Sequence, residues 1–182
     1  MIDADSLQRI ALAFDMATRA HEGQRRGHGR GEPFINHVAD VARRVSRSAA
    51  VDETTIIAAL LHDVVEKTDH TLDDIEATFG AEVAKVVGEM TDDPSLSRKA
   101  RRRRQIEEAP SLSSRAKRVK LADKASKMAS IAETPPRWWN RSKVRGEVDW
   151  ARQVVSGLTG TDPDLEADFD VEWRRADSAV GS

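Results

Sequence analysis

Apolar residues recur at intervals of three and four along most of this chain, and no stretch alternates with the period of two that a half-buried strand needs. That pattern restricts the fold to packed helices. Leu7, Ile10, Ala11, Phe14 and Ala17 mark an amphipathic helix over 3–21. A glycine-rich basic loop, Gly23 to Pro33, follows. Pro33 suits the first turn of a helix striped by Phe34, Val38, Val41 and Val45. Asp52 is a candidate N-cap for a third helix through Lys67. Its apolar stripe, at 56, 57, 60, 61, 64 and 65, is wide enough to predict a central position. Helices over Thr71–Phe79, Ala81–Met90, Leu96–Ala109, Ser113–Ala132, Trp139–Leu158 and Asp164–Arg174 complete an all-α set. Thr71 opens its helix, with Glu76 a little late for a capping box. Thr91 to Pro94 reads as a turn, and Pro135-Pro136 breaks the chain.

At 182 residues the chain suits one domain with a real core, read as 1–176 followed by a disordered tail at 177–182. No apolar run approaches the roughly 20 residues needed to span a bilayer. The opening MIDADSLQRI lacks the basic region and apolar core of a secretory signal. With no cysteine there is neither a disulfide framework nor a thiolate metal site, and a cytoplasmic location is expected. A net charge of −2 decides nothing about nucleic acid, but no tyrosine and 4% aromatics argue against a base-stacking platform. No membrane or nucleic-acid partner is expected. A homodimer is compatible with the sequence, which specifies no face for it.

One run sets a chemical problem inside this helical frame. Ala59-Leu-Leu-His-Asp-Val-Val-Glu-Lys67 places His62 and Asp63 side by side among apolar residues. Burying a polar group unsatisfied costs about 2–7 kcal/mol, and more for a charge. Neighbours on a helix cannot face the same way, yet both can grip one ion lodged at the helix edge. Glu66 lies beside them, four residues after His62 and three after Asp63. His37 and Asp123 sit in similarly apolar settings, and Asp92 and Asp93 close a helix. Two histidines and two aspartates make a mixed nitrogen and oxygen site suited to Mn²⁺, Fe²⁺, Co²⁺ or Zn²⁺ more than Ca²⁺. Each residue alone has a blander reading: His37 as a capped or surface histidine, Asp123 as the partner of a nearby lysine. Spacing alone leaves their convergence open.

The order His37, His62-Asp63, Asp123 resembles the HD phosphohydrolase superfamily. HEGQRRGHGRGEPFINHVADVA, AALLHDVVEKTDHTLDDIEATFG, EMTDDPSLSRKARRRRQIEEAPSLSSRAKRVKLADKASKM and DWARQVVSGLTGTDPDLE together resemble the hydrolase domain of RelA/SpoT homologues. The likeness is greatest to the stand-alone small alarmone hydrolases, and it runs from about Leu7 to Trp173. It implies an all-α HD-domain bundle with a metal site between central helices, and Mn²⁺-dependent removal of the 3′-pyrophosphate from ppGpp or pppGpp, a small-molecule nucleotide. By position, the implied metal ligands are His37, His62, Asp63 and Asp123. Glu66 matches the first member of a Glu-Asp pair tied to water activation. Arg26 matches a basic residue at the guanine, and Arg98 and Lys99 a basic pair at the phosphates. A cation in such a site lowers the pKa of bound water and polarises a phosphoryl oxygen.

This chain departs from the family at the substrate. The Glu-Asp pair is Glu66-Lys67, so Lys67 stands at a catalytic position. It can point to solvent, bind a phosphate, or mark weak or altered activity. The family's sugar-contacting asparagine is Lys127, which cannot accept a hydrogen bond but can reach a phosphate. Gly27 replaces a basic residue and Phe34 a tyrosine. Two further readings therefore stand beside the guanosine alarmone: another nucleotide such as (p)ppApp or NADPH, and a sensor that binds but turns over poorly. The basic run Arg98–Arg104 reads chiefly as a solvated helix face, with Arg98 or Lys99 reaching phosphate. Trp138, Trp139, Trp150 and Trp173 read as packing anchors, with Trp138 or Trp139 the candidate to line a pocket. His28 and His70 read as loop and cap residues.

Overall fold

The computed structural model describes residues 3–26, 31–134 and 139–181. Among these every long element is a helix, and the one extended pairing is an isolated bridge between Arg25 and Pro33. Gly27, His28, Pro135, Pro136 and Trp138 lie outside the described residues. Helix α1 spans Ala4–Ala20, capped by Asp3, whose carboxylate accepts from the Ser6 N–H at 2.9 Å. Helix α2 is Phe34–Val45. Asp52 caps α3, Glu53–Leu61, through the Thr55 N–H at 2.8 Å.

The third helix does not run unbroken to Lys67. It stops at Leu61, and a single turn, α4, covers Val64–Lys67. His62 and Asp63 form the joint, with Asp63 at φ −106° and ψ −6°. The break answers the geometric objection to adjacent ligands. A regular helix would splay the two side chains about 100° apart, whereas the joint turns both toward one point.

Helix α5, Leu72–Phe79, does carry a capping box, closed by Asp74 rather than Glu76. Gly80, at φ 90°, turns the chain into α6, Ala81–Met90. Helix α7 is Arg98–Glu108, followed by a 3₁₀ turn over Ala109–Ser111. Helix α8 is Ser114–Glu133 and α9 is Arg141–Ser156. Helix α10, Pro163–Gly181, runs seven residues past the expected end at Arg174. Asp177 pairs with Arg145 of α9, which anchors this extension.

Two apolar clusters organise the bundle. The first gathers α1 to α6 around Ile57, Leu61, Val64 and Ile75. The second gathers α8 to α10 around Met128, Leu158, Leu165 and Phe169. Burying each such side chain contributes about 1.5–3 kcal/mol. Helix α8 serves both, giving Ala116, Val119 and Ala122 to one and Leu121, Ala125 and Met128 to the other. Its remaining stripe is ionic: Lys120, Asp123, Lys124 and Lys127, spaced so that they share one face. That face looks into the gap between the two clusters.

Candidate metal centre and substrate cavity

His37 projects inward from α2, His62 and Asp63 from the joint, and Asp123 from α8. His37 and His62 are buried, at 5% and 3% exposure. One ligand atom each from His37, His62 and Asp123 lies within 4.8 Å of the others. His37 Nε2 is 3.3 Å from Asp123 Oδ1 and 3.7 Å from Asp63 Oδ2. Asp63 Oδ2 is also 3.2 Å from His62 Nε2. The four residues named from the sequence therefore converge.

Their tautomers suit a cation. His62 Nδ1–H donates to the Ala59 carbonyl at 2.8 Å, which leaves Nε2 with its lone pair facing the carboxylates. That nitrogen is buried without a hydrogen-bond partner. His37 Nδ1 pairs with Ser126 Oγ at 3.0 Å. His37 Nε2 faces the carboxylates of Asp123 and Asp63. Two imidazole nitrogens and two carboxylates fit a divalent transition ion.

The charges agree. Burial opposes ionisation of Asp123, but Lys124 and His37 outweigh it and hold its carboxyl well below the usual range. Burial likewise opposes ionisation of Asp63, and His62 and Lys67 outweigh it. Burial lowers the pKa of His37. At His62 burial is outweighed by Asp63, and the imidazole is raised. A pocket that draws a proton onto His62 in this way draws a metal cation by the same field.

The centre opens into a cavity of about 330 Å³, at the small end for nucleotide-sized ligands. Arg26, Lys67, Arg98 and Lys127 line it, as the sequence suggested, and so does Glu66. Lys99 does not; it is exposed on α7, and Arg101 and Arg102, one turn of helix further on, face the cavity instead. Lys67 is not a free surface cation. Its Nζ is 2.6 Å from Asp63 Oδ1 and 3.2 Å from Glu66 Oε1. Burial would lower its pKa, but these two carboxylates raise it, so it stays charged. Glu66 Oε2 accepts from the Asp92 N–H at 3.3 Å, which fixes the carboxylate at the cavity wall.

Sequence reasoning missed Lys120, Lys124, Gln105, Glu147 and Trp150, all of which line the cavity. Lys124 Nζ bridges Asp123 Oδ2 at 3.0 Å and Gln105 Oε1 at 3.2 Å. Burial, then the neighbouring Lys124, lowers Lys120 to about 8. The ionic stripe of α8 was the available signal. Among the described residues Trp150 both lines the cavity and belongs to the second apolar cluster, against which Trp139 and Trp173 pack.

An all-helical bundle with an inward His–Asp quartet over a basic cavity defines a metal-dependent phosphohydrolase class of site. The model of the HD domain family matches residues 13–149. The human guanosine-3′,5′-bis(diphosphate) 3′-pyrophosphohydrolase MESH1 is 45% identical over 159 residues, covering 87% of this chain and 89% of the relative. The bifunctional (p)ppGpp synthase/hydrolase SpoT of Escherichia coli K12 is 43% identical over 83 residues, covering 46% of this chain and 11% of the relative. A solved metazoan orthologue of SpoT, described as hydrolysing ppGpp, superposes with a TM-score of 0.86 at 39% identity, covering 91% of this chain and 94% of that one. The chain belongs to the HD-domain family, in the group of the MESH1 proteins.

Proposed function

We propose that the protein is a metal-dependent 3′-pyrophosphohydrolase of guanosine alarmones, converting ppGpp or pppGpp to GDP or GTP plus pyrophosphate. The observation that carries this reading is the convergence of His37, His62, Asp63 and Asp123 in a cavity also lined by Arg26, Lys67, Arg98, Arg102, Lys124 and Lys127. The 45% identity to a relative of that name supports the substrate. Among the described residues no helix is long and apolar enough to cross a membrane, and a cytoplasmic location is part of this proposal.

His37, His62, Asp63 and Asp123 would hold the ion, which we take to be Mn²⁺. Bound there, it would supply acidity to water and polarise a phosphoryl oxygen. The chain's own groups do the rest. Glu66, fixed by Lys67 and the Asp92 N–H, presents a carboxylate that accepts a proton from water entering the cavity. Arg98, Arg102 and Lys127 offer charge to the polyphosphate. Arg26 and Phe34 line the same cavity and offer planar groups to a purine.

A second reading keeps the catalyst and changes the nucleotide. Lys127 and Lys67, where the family has an asparagine and an aspartate, favour it. Ion-exchange analysis of products from ppGpp, ppApp and NADPH with Mn²⁺, each beside a chelator control, separates the two. GDP and pyrophosphate from ppGpp, lost with chelator, is the expected result. Turnover confined to ppApp or NADPH overturns the guanosine assignment. Binding of ppGpp without any turnover makes the protein a sensor.

A further inference from the structure

Glu147 does not belong in a site built to attract polyanions. It is almost fully buried, at 1% side-chain exposure, yet it lines the cavity. Three cations from two other helices converge on its carboxylate. Arg98 and Arg102, one turn apart on α7, reach Oε1, Arg102 at 3.1 Å. Lys127 of α8 stands 2.9 Å from Oε2. No donor is aligned on Oε2 as a hydrogen bond, so Lys127 contributes there mainly as a charge. Burial opposes ionisation of Glu147, but Lys127 and the two arginines outweigh it and hold the pKa down. The carboxylate remains an anion.

The cations keep an open side. Arg98 is 59% exposed, Lys127 28% and Arg102 27%. Trp150, on the next turn of α9, floors the cluster, with the Lys127 ammonium 5.0 Å and the Arg102 guanidinium 4.6 Å from its ring. On its other side Trp150 meets Lys124 at 4.3 Å, which reaches Asp123. The cluster is thus continuous with the metal centre. Here a buried carboxylate sits behind three cations that a ligand can reach.

Resting on the reading of this cavity as a nucleotide polyphosphate site, we propose that Glu147 is a built-in counter-anion that sets specificity by charge. In the free protein it occupies the charges of Arg98, Arg102 and Lys127. An incoming pyrophosphoryl or triphosphoryl group takes them over from the open side, and Glu147 opposes it by direct repulsion. The residue weakens binding of every polyanion, and weakens it most for the most highly charged. It thereby holds affinity down and narrows the advantage of a longer phosphate chain.

The test measures inorganic pyrophosphate and inorganic phosphate binding by titration calorimetry, on metal-loaded protein and again after chelation. Glu147→Gln keeps the shape and removes the charge. It should tighten pyrophosphate by about tenfold, with a smaller gain for phosphate. Unchanged or weaker pyrophosphate binding overturns the proposal and makes Glu147 an organiser of the cations. Should Glu147→Gln fail to fold, the pair Lys127→Gln with Glu147→Gln leaves no uncompensated buried charge. It should bind pyrophosphate more tightly than Lys127→Gln alone; equal or weaker binding than that single variant overturns the proposal. Failure of the natural protein to hydrolyse ppGpp would refute the proposed substrate, while the comparison of pyrophosphate affinities would still decide the role of Glu147.

Discussion

Lys67→Met tests how the metal centre is balanced. Lys67 Nζ stands 2.6 Å from Asp63 Oδ1, while the other oxygen of that carboxylate faces both imidazole nitrogens. An ion held by that second oxygen would face the ammonium across one carboxylate. A double charge and a single charge on the order of 6 Å apart repel by about 1.4 kcal/mol at the dielectric of water, and by about 5.5 kcal/mol at an effective dielectric of about 20. Lys67 is partly exposed, so the lower figure is the safer one. Methionine keeps an unbranched stem of similar length to pack against Phe34, whose ring centre is 5.6 Å from the ammonium. Mn²⁺ affinity should therefore rise by at least about tenfold. Electron paramagnetic resonance of free Mn²⁺ during titration measures it directly, without reference to turnover. An equal or weaker affinity would refute the reasoning, because it would mean that Lys67 orders Asp63 more than it competes with the ion. Turnover of the variant is a separate matter, since Lys67 also fixes Glu66.

Other substitutions probe the same framework. His62→Ala should abolish both bound Mn²⁺ and hydrolysis, and retention of either removes His62 from the ligand set. Ser126→Ala removes the partner of His37 Nδ1 and should weaken Mn²⁺ by about 10–100-fold with the fold intact by circular dichroism. Lys120→Met concerns stability. Lys120 is held at about 8 in the folded protein, below its ordinary 10.5, so the unfolded chain binds the extra proton between those values. Stability from this group therefore rises with pH across that window, and its burial cost is fully present below about pH 8. At pH 7 Lys120→Met should relieve up to about 3 kcal/mol and raise the melting temperature, a gain that shrinks toward pH 10. A melting-temperature difference that is the same at pH 7 and pH 10 would contradict it.

Much of the helical frame was readable because helix starts and stops are local chemistry. Asp52 caps as its position suggests, and the apolar stripe of α2 faces the core. The break at His62-Asp63 was not readable, since Leu60 through Val65 keep a helical pattern straight through it. Only convergence with His37 and Asp123, from helices distant in sequence, reveals what the joint is for. The four implied ligands and Arg26, Glu66, Lys67, Arg98 and Lys127 came from the family resemblance, since spacing alone left their convergence open, and all nine line the cavity. Lys99 does not, because a single-residue step along α7 rotates a side chain by about 100°. Glu147 escaped notice because its partners are 20 to 49 residues away, and nothing local distinguishes it from a surface acid. The tail at 177–181 reads as polar and weak by itself, but contact between Asp177 and α9 supplies what local propensity lacks.

The central claim is that one metal ion, held by His37, His62, Asp63 and Asp123, works with this cavity to remove pyrophosphate from the 3′ position. Phosphorus resonance spectra of ppGpp, recorded as Mn²⁺ is added to metal-free protein, test it most directly. Turnover should rise with Mn²⁺, level off at one ion per chain, and yield GDP and pyrophosphate in equal amounts. Turnover that ignores added or chelated metal, or release of inorganic phosphate in place of pyrophosphate, would contradict the account.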